Sequence, residues 1–210
     1  GATGAGKTSV LNLIQRFYDP DAGQVRINGV DLRHWDTARL RALTALVTQE
    51  PVLFSTTLRR NIFDNPEVVD PDTVDRIVRA AHCEGLVQRM DQGLDTPLFK
   101  GGAALSSGER QLITIARALA RDAQLILLDE ATSYIDSQTE AAIHKALHNL
   151  IAGRTCVLVA HRLSTARIAD HIVVLHQGRV AEAGRHDQLM AHGGLYWRLH
   201  QQHAVQQELS

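Results

Sequence analysis

The chain opens Gly1-Ala2-Thr3-Gly4-Ala5-Gly6-Lys7-Thr8-Ser9, which meets the pattern G-x-x-x-x-G-K-[ST]. Glycines allow successive backbone N–H groups to curl around an anion, and a helix starting behind them presents its positive end to it. Gly1, Thr3, Gly4, Ala5, Gly6, Lys7, Thr8 and Ser9 are therefore candidate contacts for a phosphate chain. Within that set Lys7 would reach the outer phosphates and the Thr8 hydroxyl would ligate Mg²⁺. A second segment, Leu125-Ile126-Leu127-Leu128-Asp129-Glu130, ends an apolar run in two acids. Asp129 is placed to hold a Mg²⁺ shell and Glu130 to polarise an attacking water.

Two further candidates are weaker alone. In Leu105-Ser106-Ser107-Gly108-Glu109, Ser106 and the acid three residues on form a capping box, ahead of an apolar stripe at Leu112, Ile115, Ala116 and Leu119. A helix start with small residues is also an anion site, so a structural and a functional reading coexist there. His161 follows the run Cys156-Val157-Leu158-Val159-Ala160, and Gln49 follows Ala45-Leu46-Val47-Thr48. Of the eleven histidines, the others, including His144 and His148 at helical spacing, lack companion ligands and read as surface residues.

These residues need a scaffold that gathers them. Short continuous apolar runs without alternation are strands buried on both faces, as in a parallel α/β sheet, where ligands collect at the carboxyl ends. The runs ending at Gln49, Asp129 and His161 have this form. The spacing of Val10, Leu11, Leu13, Ile14 and Phe17 predicts a helix behind the glycine loop, closed by Asp19-Pro20-Asp21-Ala22-Gly23. Asn28-Gly29 predicts a type I′ hairpin between strands at 24–27 and 30–32. Helical pattern at Val74, Ile77, Val78 and Ala81, broken by Pro66, Pro71 and Pro97, marks an inserted lobe. Toward the end, a helix near 165–169, strands at 171–175 and 179–182 around Gln177-Gly178, and a last helix are expected, and the loop at Gly1 itself calls for a strand in front of it.

Composition narrows the class. With 44% hydrophobic and 21% charged residues, and 22 Lys plus Arg against 23 Asp plus Glu, the chain is that of a globular domain and carries no basic footprint for nucleic acid. No apolar run approaches the ~18 residues of a membrane span. Cys83 and Cys156, with no ligand spacing around them, read as reduced core thiols in a cytoplasm-facing setting.

Taken in order, these segments resemble the nucleotide-binding domain of ATP-binding cassette transporters over essentially the whole chain. The resemblance names a Walker A loop at 1–8, a glutamine loop at Gln49, and a signature motif, usually LSGGQ, at Leu105, Ser106, Ser107, Gly108 and Glu109. It further names a Walker B strand ending at Asp129, a catalytic glutamate at Glu130, a D-loop over Ser133-Tyr134-Ile135-Asp136, and a switch histidine at His161. Arg16-Phe17-Tyr18-Asp19-Pro20, Gln49-Glu50-Pro51-Val52-Leu53-Phe54, Thr57-Leu58-Arg59-Arg60-Asn61-Ile62 and Ala160-His161-Arg162-Leu163-Ser164-Thr165 resemble exporters of the multidrug and lipid type.

The resemblance implies a P-loop α/β core, mostly parallel, over 1–51 and 116–200, a helical subdomain over 52–115 and a frayed tail over 201–210. It implies ATP and Mg²⁺, the metal held by Thr8 and Gln49 with Asp129 behind them, and Glu130, His161 and Lys7 as the catalytic set. Asp136 and the signature residues would face nucleotide held by a second such domain, head to tail. It also implies a transmembrane domain in the same polypeptide, at the cytoplasmic face of a membrane, and an adenine-stacking aromatic before Gly1. Three departures stand out: LSSGE for LSGGQ, Phe99-Lys100-Gly101-Gly102 where a glutamate stretch is usual, and Tyr134-Ile135 in the D-loop. They resemble subunits of heterodimeric exporters, though a homodimer stays open. Two alternatives also stay open: a cassette ATPase coupled to a process other than transport, which membrane spans before Gly1 would exclude, and a non-catalytic binding domain, which an ATPase assay would exclude.

Overall fold

The computed structural model describes residues 4–48, 50–129, 137–160 and 166–208. The chain divides into two compact units, one of Gly1–His34 with Leu158–Ser210 and one of Trp35–Val157.

In the first unit, helix α1 (Lys7–Ile14) follows the glycine loop. Strands β1 (Arg26–Ile27) and β2 (Val30–Asp31) then pair antiparallel. The connecting Asn28 and Gly29 have φ of 51° and 79°, the paired positive values that a type I′ turn requires. A second antiparallel pair, β6 (Ile172–His176) and β7 (Arg179–Gly184), turns at Gln177 and Gly178, again both at positive φ. Against it pack α8 (His186–His192) and α9 (Leu195–Glu208), around Ile172, Val174, Leu189 and Tyr196. The carboxylate of Glu182 on β7 accepts the N–H groups of Leu195 and Tyr196, placing an anion on the start of α9 where orphan donors and the helix dipole favour one. The helix continues over 201–208, the stretch where the sequence predicts a frayed tail.

The second unit is built around a sheet of order β3 (Thr44–Val47), β4 (Leu125–Asp129) and β5 (Thr155–Val159), whose last two residues belong to the first unit. Strands β3 and β4 run parallel, with Thr44 opposite Leu125 and Val47 opposite Leu128. Both are buried but for half-buried Leu46 and Asp129, as continuous apolar runs predict. Strand β5 is different: Thr155 is exposed and Cys156, Val157 and Leu158 are only half-buried, although β3, at the other end of the strand order, is mostly buried.

The helices of this unit are α2 (Thr37–Leu43), α3 (Leu58–Ile62), α4 (Pro71–Ala80), α5 (Glu84–Arg89), α6 (Ser107–Ala120) and α7 (Ser137–Ile151), of which α2 and α6 pack on β3. Side-chain caps fix the starts of four of them: Asp36, Thr57, Asp70 and Ser106 accept the N–H groups of Arg39, Arg60, Thr73 and Glu109. In α4 buried Val74, Ile77 and Val78 match the expected pattern, while Pro71, read from the sequence as a breaker, is the first residue of the helix, where its missing N–H has no intrahelical partner to lose. Helix α6 is the spine, packing on α3, α4, α7 and β3. The single apolar stripe read from its sequence is too narrow, since Ile113, Thr114 and Ala118 are buried as well as Leu112, Ile115, Ala116 and Leu119.

Both cysteines are free, and burial pushes the Cys83 thiol up to about 12 and Cys156 up to about 11, so both stay protonated at neutral pH. Among the described residues no helix is long and apolar enough to cross a membrane.

Candidate functional site

The glycine loop has the backbone its sequence calls for. Gly4 and Gly6 sit at φ of 80° and 96°, in a region that side chains disfavour, and a Cβ at either would meet no atom within 4 Å. Gly6 is the N-cap of α1 and supplies no side-chain capping bond. The first turn of α1 therefore starts without an oxygen of its own cap, and it carries no acidic residue. Lys7, Thr8 and Ser9 occupy that turn, with Thr8 and Ser9 exposed and Ala5 buried at 5%. Open space over left-handed glycines, uncapped helical amides and a lysine form a cradle that fits a phosphate chain. The Thr8 hydroxyl and Asp129 carboxylate are hard oxygen donors of the type Mg²⁺ takes.

In the second unit the register of β3 on β4 sets Val47 beside Leu128, so the chain leaves both strands at one sheet edge, at Thr48 and Asp129. This is the edge predicted to collect ligands. Gly1, Thr3, Gln49, Glu130, Asp136 and His161 lie outside the described residues, as do Ser133, Tyr134 and Ile135 of the D-loop.

The signature segment shows the capping box read from its sequence. Glu109 N–H donates to Ser106 Oγ at 3.1 Å and Ser106 N–H donates to Glu109 Oε2 at 2.8 Å. Leu105 and Gly108 are buried, Ser106 and Ser107 exposed. The other Glu109 oxygen pairs with Arg89 from the end of α5, a partner that no local pattern indicated. Gln111 is only 3% exposed, and its Nε2 meets no acceptor among the described residues.

Sequence reasoning also missed a clamp on the segment after Gln49. Arg117 of α6 donates from Nε to Asn61 O at 2.7 Å, from Nη2 to Asn61 Oδ1 at 3.2 Å and from Nη1 to Val52 O at 3.2 Å, and its guanidinium lies 5.4 Å from the Phe54 ring centroid. Beside this segment Lys100, Gly101 and Gly102 form a run of positive φ, and Gly101 N–H donates to Ser55 Oγ at 3.0 Å. Val52, Phe54 and Phe99 remain exposed at 66%, 61% and 77%, an apolar patch on this face.

A helix launched from left-handed glycines with Lys-Thr in its first turn, in an α/β chain, is the arrangement of a P-loop nucleotide-binding fold. Residues 1–133 match the family model described as ABC transporter, and the chain belongs to that family. It is 45% identical over 200 residues to the ATP-dependent lipid A-core flippase of Chromobacterium violaceum, covering 95% of this chain and 34% of that protein. It is 43% identical to the Bacillus subtilis protein YheH, named a probable multidrug resistance ABC transporter ATP-binding/permease protein, over 96% of this chain and 30% of that one. A solved bacterial Atm1-family ABC exporter with ATP bound superposes with a TM-score of 0.89 at 38% identity, covering 97% of this chain and 36% of that one. The chain thus spans about a third of the length of the relatives it matches.

Proposed function

We propose that this chain is the ATP-binding and ATP-hydrolysing domain of a membrane exporter for drug- or lipid-like cargo. The loop carries the reading: Gly4 and Gly6 at positive φ, with open space over both, lead into a helix start that carries Lys7 and Thr8 and has no capping side chain and no acidic residue. The loop amides and Lys7 hold the outer phosphates of ATP. Thr8, Gln49 and Asp129 would hold Mg²⁺, which would supply positive charge to neutralise the phosphates. Glu130 orients a water and takes its proton as the water oxygen bonds to the terminal phosphorus, while the bond from that phosphorus to the bridging oxygen breaks. His161 contacts the same phosphate. Positioning and charge stabilisation supply the rate.

A second cassette, of the same or a different chain, meets this one head to tail, so that Leu105, Ser106, Ser107, Gly108, Glu109 and Asp136 face nucleotide held by the partner. Residues 1–51 and 116–200 act as the ATPase core and 52–115 as the helical subdomain that passes motion to a transmembrane domain of the same polypeptide, at the cytoplasmic membrane face. The exposed patch of Val52, Phe54 and Phe99 supports that docking.

The test is Glu130→Gln in the full polypeptide, in membranes. ATP binding persists while turnover is lost, and undiminished ATPase removes Glu130 from catalysis. Lys7→Ala weakens ATP binding, and unchanged nucleotide affinity counts against the loop assignment. ATP-driven movement of a fluorescent hydrophobic drug or lipid across vesicles reads out export, and its absence with ATPase intact overturns the exporter reading.

A further inference from the structure

We propose that Arg89 is a positioning residue for the ATPase: by pairing with Glu109 it cancels a negative charge that would otherwise stand where a partner-held nucleotide meets the start of α6. This rests on the reading that the signature segment caps nucleotide.

Both Glu109 oxygens are engaged, Oε2 by the Ser106 amide at 2.8 Å and Oε1 by Arg89 Nη2. The capping box occupies the amides of Ser106 and Glu109 and leaves those of Ser107 and Gly108 outside it. An anion using these two amides would lie within a few ångströms of the Glu109 carboxylate. At that range like charges at a protein surface oppose each other strongly enough to move an affinity severalfold. Arg89 is the last residue of α5 and its side chain is 64% exposed, while that of Glu109 is 21% exposed. An ion pair this open contributes little to folding. Its larger effect is electrical: the pair as a whole is neutral, as the family's usual glutamine is at that position.

The experiment measures ATPase of the full polypeptide in membranes against ATP concentration. Arg89→Gln raises KM for ATP by about three- to tenfold, the size expected for one uncancelled charge, with kcat changed less than about twofold. Arg89→Lys, which keeps the charge, stays near the parent KM. Glu109→Gln added to Arg89→Gln lowers KM below that of Arg89→Gln alone, because no charge is left to cancel. A loss of packing between α5 and α6 would instead persist in that double variant and lower kcat and thermal stability together. An unchanged KM in Arg89→Gln, or a double variant no better than Arg89→Gln alone, overturns the inference. If Glu130→Gln still abolishes turnover in that case, the functional reading stands and only the role of Arg89 falls. A parent protein with no ATPase would instead sink the functional reading itself.

Discussion

Arg117 and Asn61 are joined by two hydrogen bonds, from Arg117 Nε to the Asn61 carbonyl at 2.7 Å and from Nη2 to Asn61 Oδ1 at 3.2 Å. Asn61, 1% exposed, accepts Phe54 N–H at 2.8 Å on Oδ1 and donates from Nδ2 to the carbonyls of Phe54 and Thr57, both at 3.0 Å. The spine helix α6 therefore grips the chain just after Gln49 through one guanidinium and one amide.

Arg117→Ala leaves the part-buried Asn61 carbonyl without its charged donor and lowers stability by about 1.5–3 kcal/mol. Arg117→Lys keeps the charge but not the fork, and falls between the two. Thermal melting of the three proteins checks the order.

Gly101 has φ of 63°, and a Cβ there would stand 2.9 Å from the Leu53 carbonyl oxygen. Gly101→Ala combines backbone strain with a clash against main chain and costs about 2 kcal/mol or more. Gly153→Ala, at φ of 71° with no atom within 4 Å, carries strain alone and costs less. Denaturant midpoints of the two variants separate the contributions.

Asp31 receives bonds from the Arg33 guanidinium and backbone amide, and these hold its carboxyl down to about 2. A depressed folded-state value contributes stability present above the unfolded value of about 3.9 and lost as pH falls toward about 2. Asp31→Asn therefore melts below the parent at pH 7, and the gap closes as pH drops from about 4 to 2. A gap constant over that range would contradict the ion pair.

Tyr196 is 2% exposed, shares a 2.9 Å hydrogen bond with His186 Nδ1, and packs edge-on to that ring. Tyr196→Phe keeps the packing and leaves the imidazole nitrogen without this partner, lowering stability by about 1–2 kcal/mol. His186→Ala removes both contacts and costs more. Calorimetry on each variant checks the ranking.

Features written in adjacent residues were legible in the sequence. The Asn28-Gly29 turn, the Ser106–Glu109 box, the Gly4 and Gly6 conformations and the buried runs of β3 and β4 each depend on local sterics or a fixed spacing. Partnerships across long separations were not. Arg89 meets Glu109 twenty positions away and Arg117 meets Asn61 fifty-six positions away, and no periodicity encodes either. The exposure of β5 was missed for the same reason, because whether an apolar run is covered depends on its neighbours. The metal assignment to Gln49 and the catalytic assignments to Glu130 and His161 rest on motif order and on the apolar runs these residues follow.

Helix α6 is covered on most of its circumference, from Gln111 through Leu119. Most of its amides have no local route to solvent, so hydrogen exchange there waits for the whole 35–157 unit to open. These protons would be the slowest of the unit, and their rate would measure its global stability directly, while the amides of exposed Val52 and Phe54 report only local opening.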